Sequence, residues 1–282
     1  MKDTDLDRAS GGGWRAFTAR HQMVLFVLLS YLISWSFVIP ARGALIPYGP
    51  MIAAFIVLAV VAGRGGVAGL WKQMTRWRVG WKWWLLAPGV LIAVHMFAFM
   101  VNVALGARIV NTAHVASVPV YFSATVLPLL LLGGQWEEPG WMGYAQRRLQ
   151  DRFVESVLKA TLVVGIIRMI WHTPLLVYGT IPWYDFVFGI FALQIIFTWL
   201  YNSAGGSVLI AMIAHLFSNI MTATVKPLFS PADQERYWLI MTAAEFLVAL
   251  GLLIATRGWL GLKPPNEAAA TGRPVPRRRP AR

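Results

Sequence analysis

Cysteine is absent from the 282-residue chain, and acidic side chains are scarce: 12 Asp and Glu against 25 Lys and Arg, with charged residues only 13% of the total. The first absence excludes a disulfide framework, a thiolate metal site and a cysteine nucleophile. The second excludes an ordinary soluble domain, in which about a quarter of the residues are charged. Hydrophobic residues instead make up 57%, and the mean hydropathy is +0.59. Two catalytic signatures are missing as well. No G-x-S-x-G offers a serine nucleophile, and none of the five histidines is followed by Glu, so there is no H-E-x-x-H zinc helix. No internal repeat or second domain is visible.

Long apolar runs are what the sequence has in quantity. A spanning helix needs about 20 mainly apolar residues, because every backbone polar group inside hydrocarbon has to be paired within the segment. Eight segments qualify, at 22–40, 47–63, 83–105, 119–137, 157–178, 183–201, 206–225 and 237–256. The second is the weakest, short and closed by Gly63-Arg64-Gly65-Gly66. The first follows a polar stretch and lacks a small-x-small cleavage signal, which reads as a retained helix rather than a removed signal peptide. The expectation is an all-α, polytopic helical membrane bundle of about eight spans in three parts. A polar cytoplasmic segment occupies 1–21, the transmembrane domain 22–256, and a basic, Pro-rich, disordered cytoplasmic tail 257–282.

With eight spans, twenty Lys and Arg fall on one side of the membrane and four, Arg42, Arg108, Lys226 and Arg236, on the other; Arg168 lies inside a span. Short basic loops are held in the cytoplasm, so both termini are expected there. The net charge of +13 then calls for an anionic lipid surface rather than nucleic acid. The loop WKQMTRWRVGWKWW at 71–84 interleaves Trp with Lys and Arg, as an interfacial segment does.

Ionisable residues inside spans are costly and are functional candidates by default. They are Glu137 and Glu138 in the fourth segment, Arg168 and His172 in the fifth, and His215, with Asn219, in the seventh. His95 reads as an interior histidine with a hydrogen-bond partner and Asp185 as an end-of-helix carboxylate. Glu245 is expected against Arg168 or a histidine, or near an interface. Arg168 and His172 share a helix face, and so do His215 and Asn219, each pair being four apart. Adjacent Glu137 and Glu138 are about 100° apart on a helix, so one is expected to face the site and the other to make a structural contact. A carboxylate and a histidine that position water, with a second histidine and an asparagine donating to an oxyanion, suit acyl transfer to water. The same residues read alternatively as buried hydrogen bonding between helices, or, for the two glutamates, as a cytoplasmic helix end solvated by Arg147 and Arg148.

The segments WEEPGWMGYAQRRL, IIRMIWHTPLL and TWLYNSAGGSVLIAMIAHLFSNI resemble the three motif regions of the CPBP (CAAX protease and bacteriocin-processing) intramembrane endopeptidases. This is also called the Abi or type II CAAX prenyl endopeptidase family. YGPMIAAFIVLAVVAGRGGVAGL with RWRVGWKWWLL resembles its lead-in, so the likeness covers about 45–222. The family motifs are written E-E-x-x-x-R, F-x-x-x-H and H-x-x-x-N or D. By that resemblance Glu137 and His172 would activate water, His215 and Asn219 would form the oxyanion pocket, and Glu138 would support them. The implied protein is a glutamate endopeptidase of a prokaryotic cell membrane. Its partner would be a membrane-associated peptide or a lipidated protein, CAAX-like or bacteriocin-like, reached from the cytoplasmic leaflet. Members are often labelled metalloproteases, and zinc on these Glu and His residues is the alternative to the metal-independent, cofactor-free mechanism favoured by the missing H-E-x-x-H.

Two positions depart from the pattern: Met142 stands where an arginine is expected, and Arg168 where an aromatic is. A guanidinium lost from one motif and gained by another suggests that Arg168 takes over the ion pair with Glu138. An arginine at the centre of a lone helix costs about 2.5–3.5 kcal/mol to insert, so an anionic partner is expected. The opposing expectation is a relative that has lost catalysis and acts as a membrane scaffold or immunity protein. A proton-coupled transporter is a third, set back by the absence of inverted repeats.

Overall fold

The structure, a computed structural model, describes residues 4–264. Residues 1–3, and those from 265 onward where most of the disordered tail is expected, lie outside the described residues. Among the described residues the chain is helical, with no β-structure beyond an isolated antiparallel bridge between Ile109 and Phe229. Among the described residues seven helices are long and apolar enough to cross a membrane. They are α1 (Thr4–Trp35, apolar from Ala16), α2 (Gly49–Met74), α3 (Trp81–Ala104), α4 (Val118–Arg152) and, after a shorter α5 (Val157–Trp171), α6 (Asp185–Ser203), α7 (Val208–Leu228) and α8 (Pro231–Ala255). Large apolar side chains such as Leu32, Leu132, Leu247 and Ile254 face outward, as a surface bathed in lipid requires. The chain is an all-α integral membrane bundle.

The fifth expected segment, at 157–178, is α5 and a one-turn continuation, Thr173–Val177, separated at His172. Pro174 has no N–H to give to Ile170 and crowds the backbone before it, so the ladder is interrupted. Leu175 bonds back to His172 at 2.9 Å instead. The Trp171 carbonyl freed by this accepts the indole N–H of Trp35 at 2.9 Å, and the Tyr31 hydroxyl donates to the Ile167 carbonyl at 2.6 Å. α1 is thereby tied to α5 beside the break.

Other boundaries move for similar reasons. α2 does not end at Gly63 but bends there, at φ 59° and ψ −151°, a conformation open to glycine, and continues to Met74. α1 is helical from Thr4, through most of the polar segment expected to stand apart, with a backbone break at His21, and it ends at Trp35 rather than at 40.

The central element is the second half of α4. Gly133 is extended (φ −78°, ψ 166°), a tight turn follows over Gly134–Glu137, and a wide helical turn covers Pro139–Gln146, all of it buried. Small residues permit this enclosure. A Cβ on Gly140 would come within 2.5 Å of the Pro50 backbone on α2, and one on Gly143 within 2.5 Å of Leu70 and 3.1 Å of Val208. In lipid, close approach and hydrogen bonds between helices supply the cohesion. Gln146 donates to Thr161 of α5 at 3.0 Å and accepts from Gln194 of α6 at 3.2 Å.

Away from the centre, Trp71, Trp77 and Trp81 are exposed, and Arg78 and Lys82 lie over the Trp77 and Trp83 rings at 5.1 and 4.9 Å. That is the make-up of an interfacial loop. His95 is fully buried with Nδ1 2.6 Å from the Tyr237 hydroxyl of α8, and Asp185 opens α6 and accepts from Thr242 at 3.0 Å. Glu245 forms no hydrogen bond with Arg168 or a histidine among the described residues. It is 1% exposed, and neither carboxylate oxygen has a hydrogen-bond partner among the described residues. α8 packs against α3 and α6, while Arg168 is committed to other carboxylates and His95 to Tyr237.

Candidate active site

Three helices assemble the site: α4 supplies Glu137 and Glu138, the end of α5 supplies Arg168 and His172, and α7 supplies His215 and Asn219. Glu137 is 5% exposed, Glu138 0%, Arg168 3% and His215 8%, so the cluster is cut off from bulk water. His172 and Asn219 are half-buried.

Arg168 is the hub. Its Nη2 donates to Glu138 Oε1 at 2.7 Å and to Glu137 Oε2 at 3.2 Å, and lies 3.2 Å from His215 Nδ1. His215 Nδ1 is itself 2.7 Å from Glu138 Oε1. Both glutamates therefore meet one partner, against the expectation that a 100° step would part them. Glu137 closes a tight turn and Glu138 leads into a wide one, so the regular helical step does not apply, and the guanidinium reaches in from another helix. The contact to Glu138 crosses the α4–α5 interface, and Met142, where an arginine was expected, is a fully buried apolar side chain. Among the described residues no ion pair joins either glutamate to Arg147 or Arg148, so the picture of a solvated helix end is incorrect.

The atoms left over are as informative as those engaged. Glu137 Oε2 also accepts from the Trp141 indole N–H at 3.2 Å, which leaves Oε1. A Cβ built on Gly134 would lie 3.0 Å from Glu137 Oε1 and 2.4 Å from His215 Nε2, so both atoms pack closely against Gly134. His172 Nδ1 donates to the Arg168 carbonyl at 2.8 Å, which in the neutral ring leaves the lone pair on Nε2. Phe197 stacks on the His215 ring (centroids 5.3 Å apart, 29° between planes) and lies 5.5 Å from the Arg168 guanidinium carbon. Glu137, Glu138, Arg168 and His215 thus form one hydrogen-bonded cluster. His172 joins it through the Arg168 backbone, and Asn219 stands one helical turn beyond His215.

Gly134, Trp141 and Phe197 were not anticipated. Trp141 had a signal, lying four residues after Glu137 on the same helix face. Gly134 had only its place beside the glutamates, and Phe197 had none, since its role depends on how α6 meets α7.

Glu137, Glu138 and His215 each offer a metal-donor atom, all within 4.8 Å of one another. Zinc sits about 2.0–2.2 Å from nitrogen and oxygen ligands. Arg168 Nη2 already stands 2.7 to 3.2 Å from one atom of each of the three. With the guanidinium in that position the residues do not fit a resident metal.

Residues 119–221 match the family model described as type II CAAX prenyl endopeptidase, Rce1-like. The chain is also 32% identical over 140 residues to CAAX prenyl protease 2 of Methanococcus maripaludis, an alignment covering 46% of this chain and 49% of that protein. The chain therefore spans about half the length of the curated relative it matches. The matched segment contains Glu137, Glu138, Arg168, His172, His215 and Asn219, and over it the chain is similar to the type II CAAX prenyl endopeptidases.

Proposed function

We propose that the chain is an intramembrane endopeptidase that hydrolyses a peptide bond of a membrane-associated or lipidated protein. The observation that carries this reading is the division of labour within Glu137. Its Oε2 is held by Arg168 and Trp141, while Oε1, which takes part in neither bond, lies with His215 Nε2 against Gly134. An ion pair serving only to join helices has no use for an open oxygen beside an open imidazole nitrogen.

Water between these groups gives a proton to Glu137 Oε1, and His172 Nε2 accepts its other hydrogen and so aims it. The water oxygen bonds to the scissile carbonyl carbon. The Asn219 amide N–H and the His215 Nε2–H donate to the resulting oxyanion. With Nδ1 against Glu138, His215 donates from Nε2 when its ring holds two protons, and Glu138 is the counter-charge for that form. The proton on Glu137 then passes to the departing amide nitrogen as the C–N bond breaks, and the carboxylate is regenerated. Glu138 and Arg168 act by holding Glu137 and His215. The substrate's apolar or lipid-modified part occupies the bilayer, and its peptide enters from the cytoplasmic leaflet, on the side of the basic, Trp-rich loop. The relative's name, CAAX prenyl protease 2, supports this substrate class. Arg168, 2.7 Å from Glu138, supplies the guanidinium that Met142 lacks, which weighs against a non-catalytic scaffold.

The test compares wild type, Glu137→Gln and His172→Ala in lipid vesicles, with prenylated and unmodified peptides read by mass spectrometry and folding followed by thermal unfolding. Cleavage by wild type that is lost in two folded variants is the expected result. Cleavage surviving in both removes the site, and no cleavage of any peptide by folded wild type favours the scaffold.

A further inference from the structure

We infer that Arg168 is the resident cation of this cluster, standing where a metal would be coordinated and closing a Glu-Glu-His trio that would otherwise take up a divalent transition metal. The inference concerns what occupies the cluster and holds whether or not the cluster hydrolyses peptides.

The geometry is restrictive. Glu137 Oε2, Glu138 Oε1 and His215 Nδ1 lie 3.2, 2.7 and 3.2 Å from Nη2. An ion placed about 2.0–2.2 Å from each of them, on the guanidinium's side, would overlap Nη2. On the far side it would face a full positive charge across the same three atoms and would have to expel the proton that His215 Nδ1 shares with Glu138.

The guanidinium has nowhere else to go. No described carboxylate other than Glu137 and Glu138 is paired with it. Its Nη1 is buried without a hydrogen-bond partner among the described residues. Phe197 lies along one side, and the α5 backbone that carries Arg168 is tied to α1 by Tyr31 and Trp35.

Take the guanidinium away and the demand for a cation becomes acute. Two carboxylates under 6% exposed would share a pocket with one imidazole, held on two helices that pack together independently of Arg168. Buried charge of that kind is stable only when paired or metal-bound. Two oxygens and one imidazole nitrogen are a donor set that zinc and cobalt accept.

The experiment titrates cobalt(II) into chelator-treated wild type, Arg168→Lys and Arg168→Ala in lipid, reading visible absorption and bound metal per chain. Arg168→Ala is expected to take up one equivalent, displaced by zinc and lost when His215→Ala is added. Wild type and Arg168→Lys, which keeps a cation, are expected to take up none at the same cobalt concentration. Uptake by wild type that depends on His215 overturns the inference, and so does a folded Arg168→Ala that takes up no metal. If Arg168→Ala unfolds in chelator, recovery of its thermal transition with zinc but not magnesium supports the inference, and failure of zinc to restore it overturns it.

Discussion

Gly134→Ala adds a single methyl group at the place where the proposed chemistry has its open atoms. The new carbon would stand 2.4 Å from His215 Nε2, 2.7 Å from His215 Cε1 and 3.0 Å from Glu137 Oε1. Unstrained contacts of this kind lie at about 3.5 Å, so the overlap with the imidazole is about 1 Å. Gly134 is not among the glycines at positive φ, so alanine meets no backbone obstacle and the clash alone decides the outcome. The ring has little room to retreat, with Phe197 stacked on it and Nδ1 2.7 Å from Glu138. Relief by moving α4 is an overpacking cost of about 1–3 kcal/mol. A displacement of about 1 Å among reacting groups costs about 100-fold in rate. The expected result in lipid vesicles is therefore a kcat/KM on a cleaved peptide lowered about 100-fold, with a modest fall in the unfolding temperature. Gly69→Ala is the control, because a Cβ there meets nothing within 4 Å. A Gly134→Ala protein that cleaves at the wild-type rate would show that the placement of Glu137 Oε1 and His215 Nε2 against Gly134 does not matter, and the assignment of Oε1 as the base would fall with it.

Four further outcomes are expected. Arg168→Phe should cost about 3–5 kcal/mol, the penalty for stranding a buried charge, and adding Met142→Arg should recover much of it in an equilibrium unfolding experiment; no recovery refutes the exchange of guanidinium between motifs. Trp141→Phe keeps a ring against Phe26 and Trp171 but removes the donor to Glu137 Oε2; a hydrogen bond to a charged group contributes about 1.5–3 kcal/mol to stability, so the unfolding temperature should fall, and kcat should fall about 10-fold or more as Glu137 loses its hold. Glu245→Gln should leave thermal stability equal or higher, since neither oxygen has a partner to lose; a marked drop would reveal one. Finally, a chain with no cysteine is suited to single-cysteine labelling: Thr75→Cys should react only from the cytoplasmic side and Arg108→Cys only from the other, and the reverse would invert the proposed topology.

The spans were legible because hydrocarbon imposes a length and a polarity that seven described helices meet, while the run at 157–178 yields only the shorter α5. Their ends were less so. Gly63 and His21 interrupt helices without terminating them, and a break reads in sequence much like a boundary. The chemistry-bearing residues stood out through scarcity, since few ionisable groups lie inside the spans. The Arg168–Glu138 contact was legible from the paired departure at 142 and 168. What local spacing could not convey was three-dimensional convergence. The 100° rule presumed an ideal helix where the chain has a tight turn followed by a wide one. The close approach of Gly134 to His215, the Phe197 platform and the isolation of Glu245 depend on which helices face one another.

The pairing of Arg168 with Glu138 also bears on how the protein enters the membrane. The two residues are 30 apart in sequence, and at a synthesis rate of about 5–20 residues per second the glutamates emerge from the ribosome roughly 2–6 s before their counter-ion. Alone at mid-membrane, each ionised side chain is disfavoured by about 2.5–3.5 kcal/mol on insertion scales. Only residues 153–156 separate α4 from α5, so the two helices can leave the translocon together as a hairpin in which the charges are already joined. The unit of insertion is then the hairpin rather than the single helix, and α4 has to wait at the channel for α5.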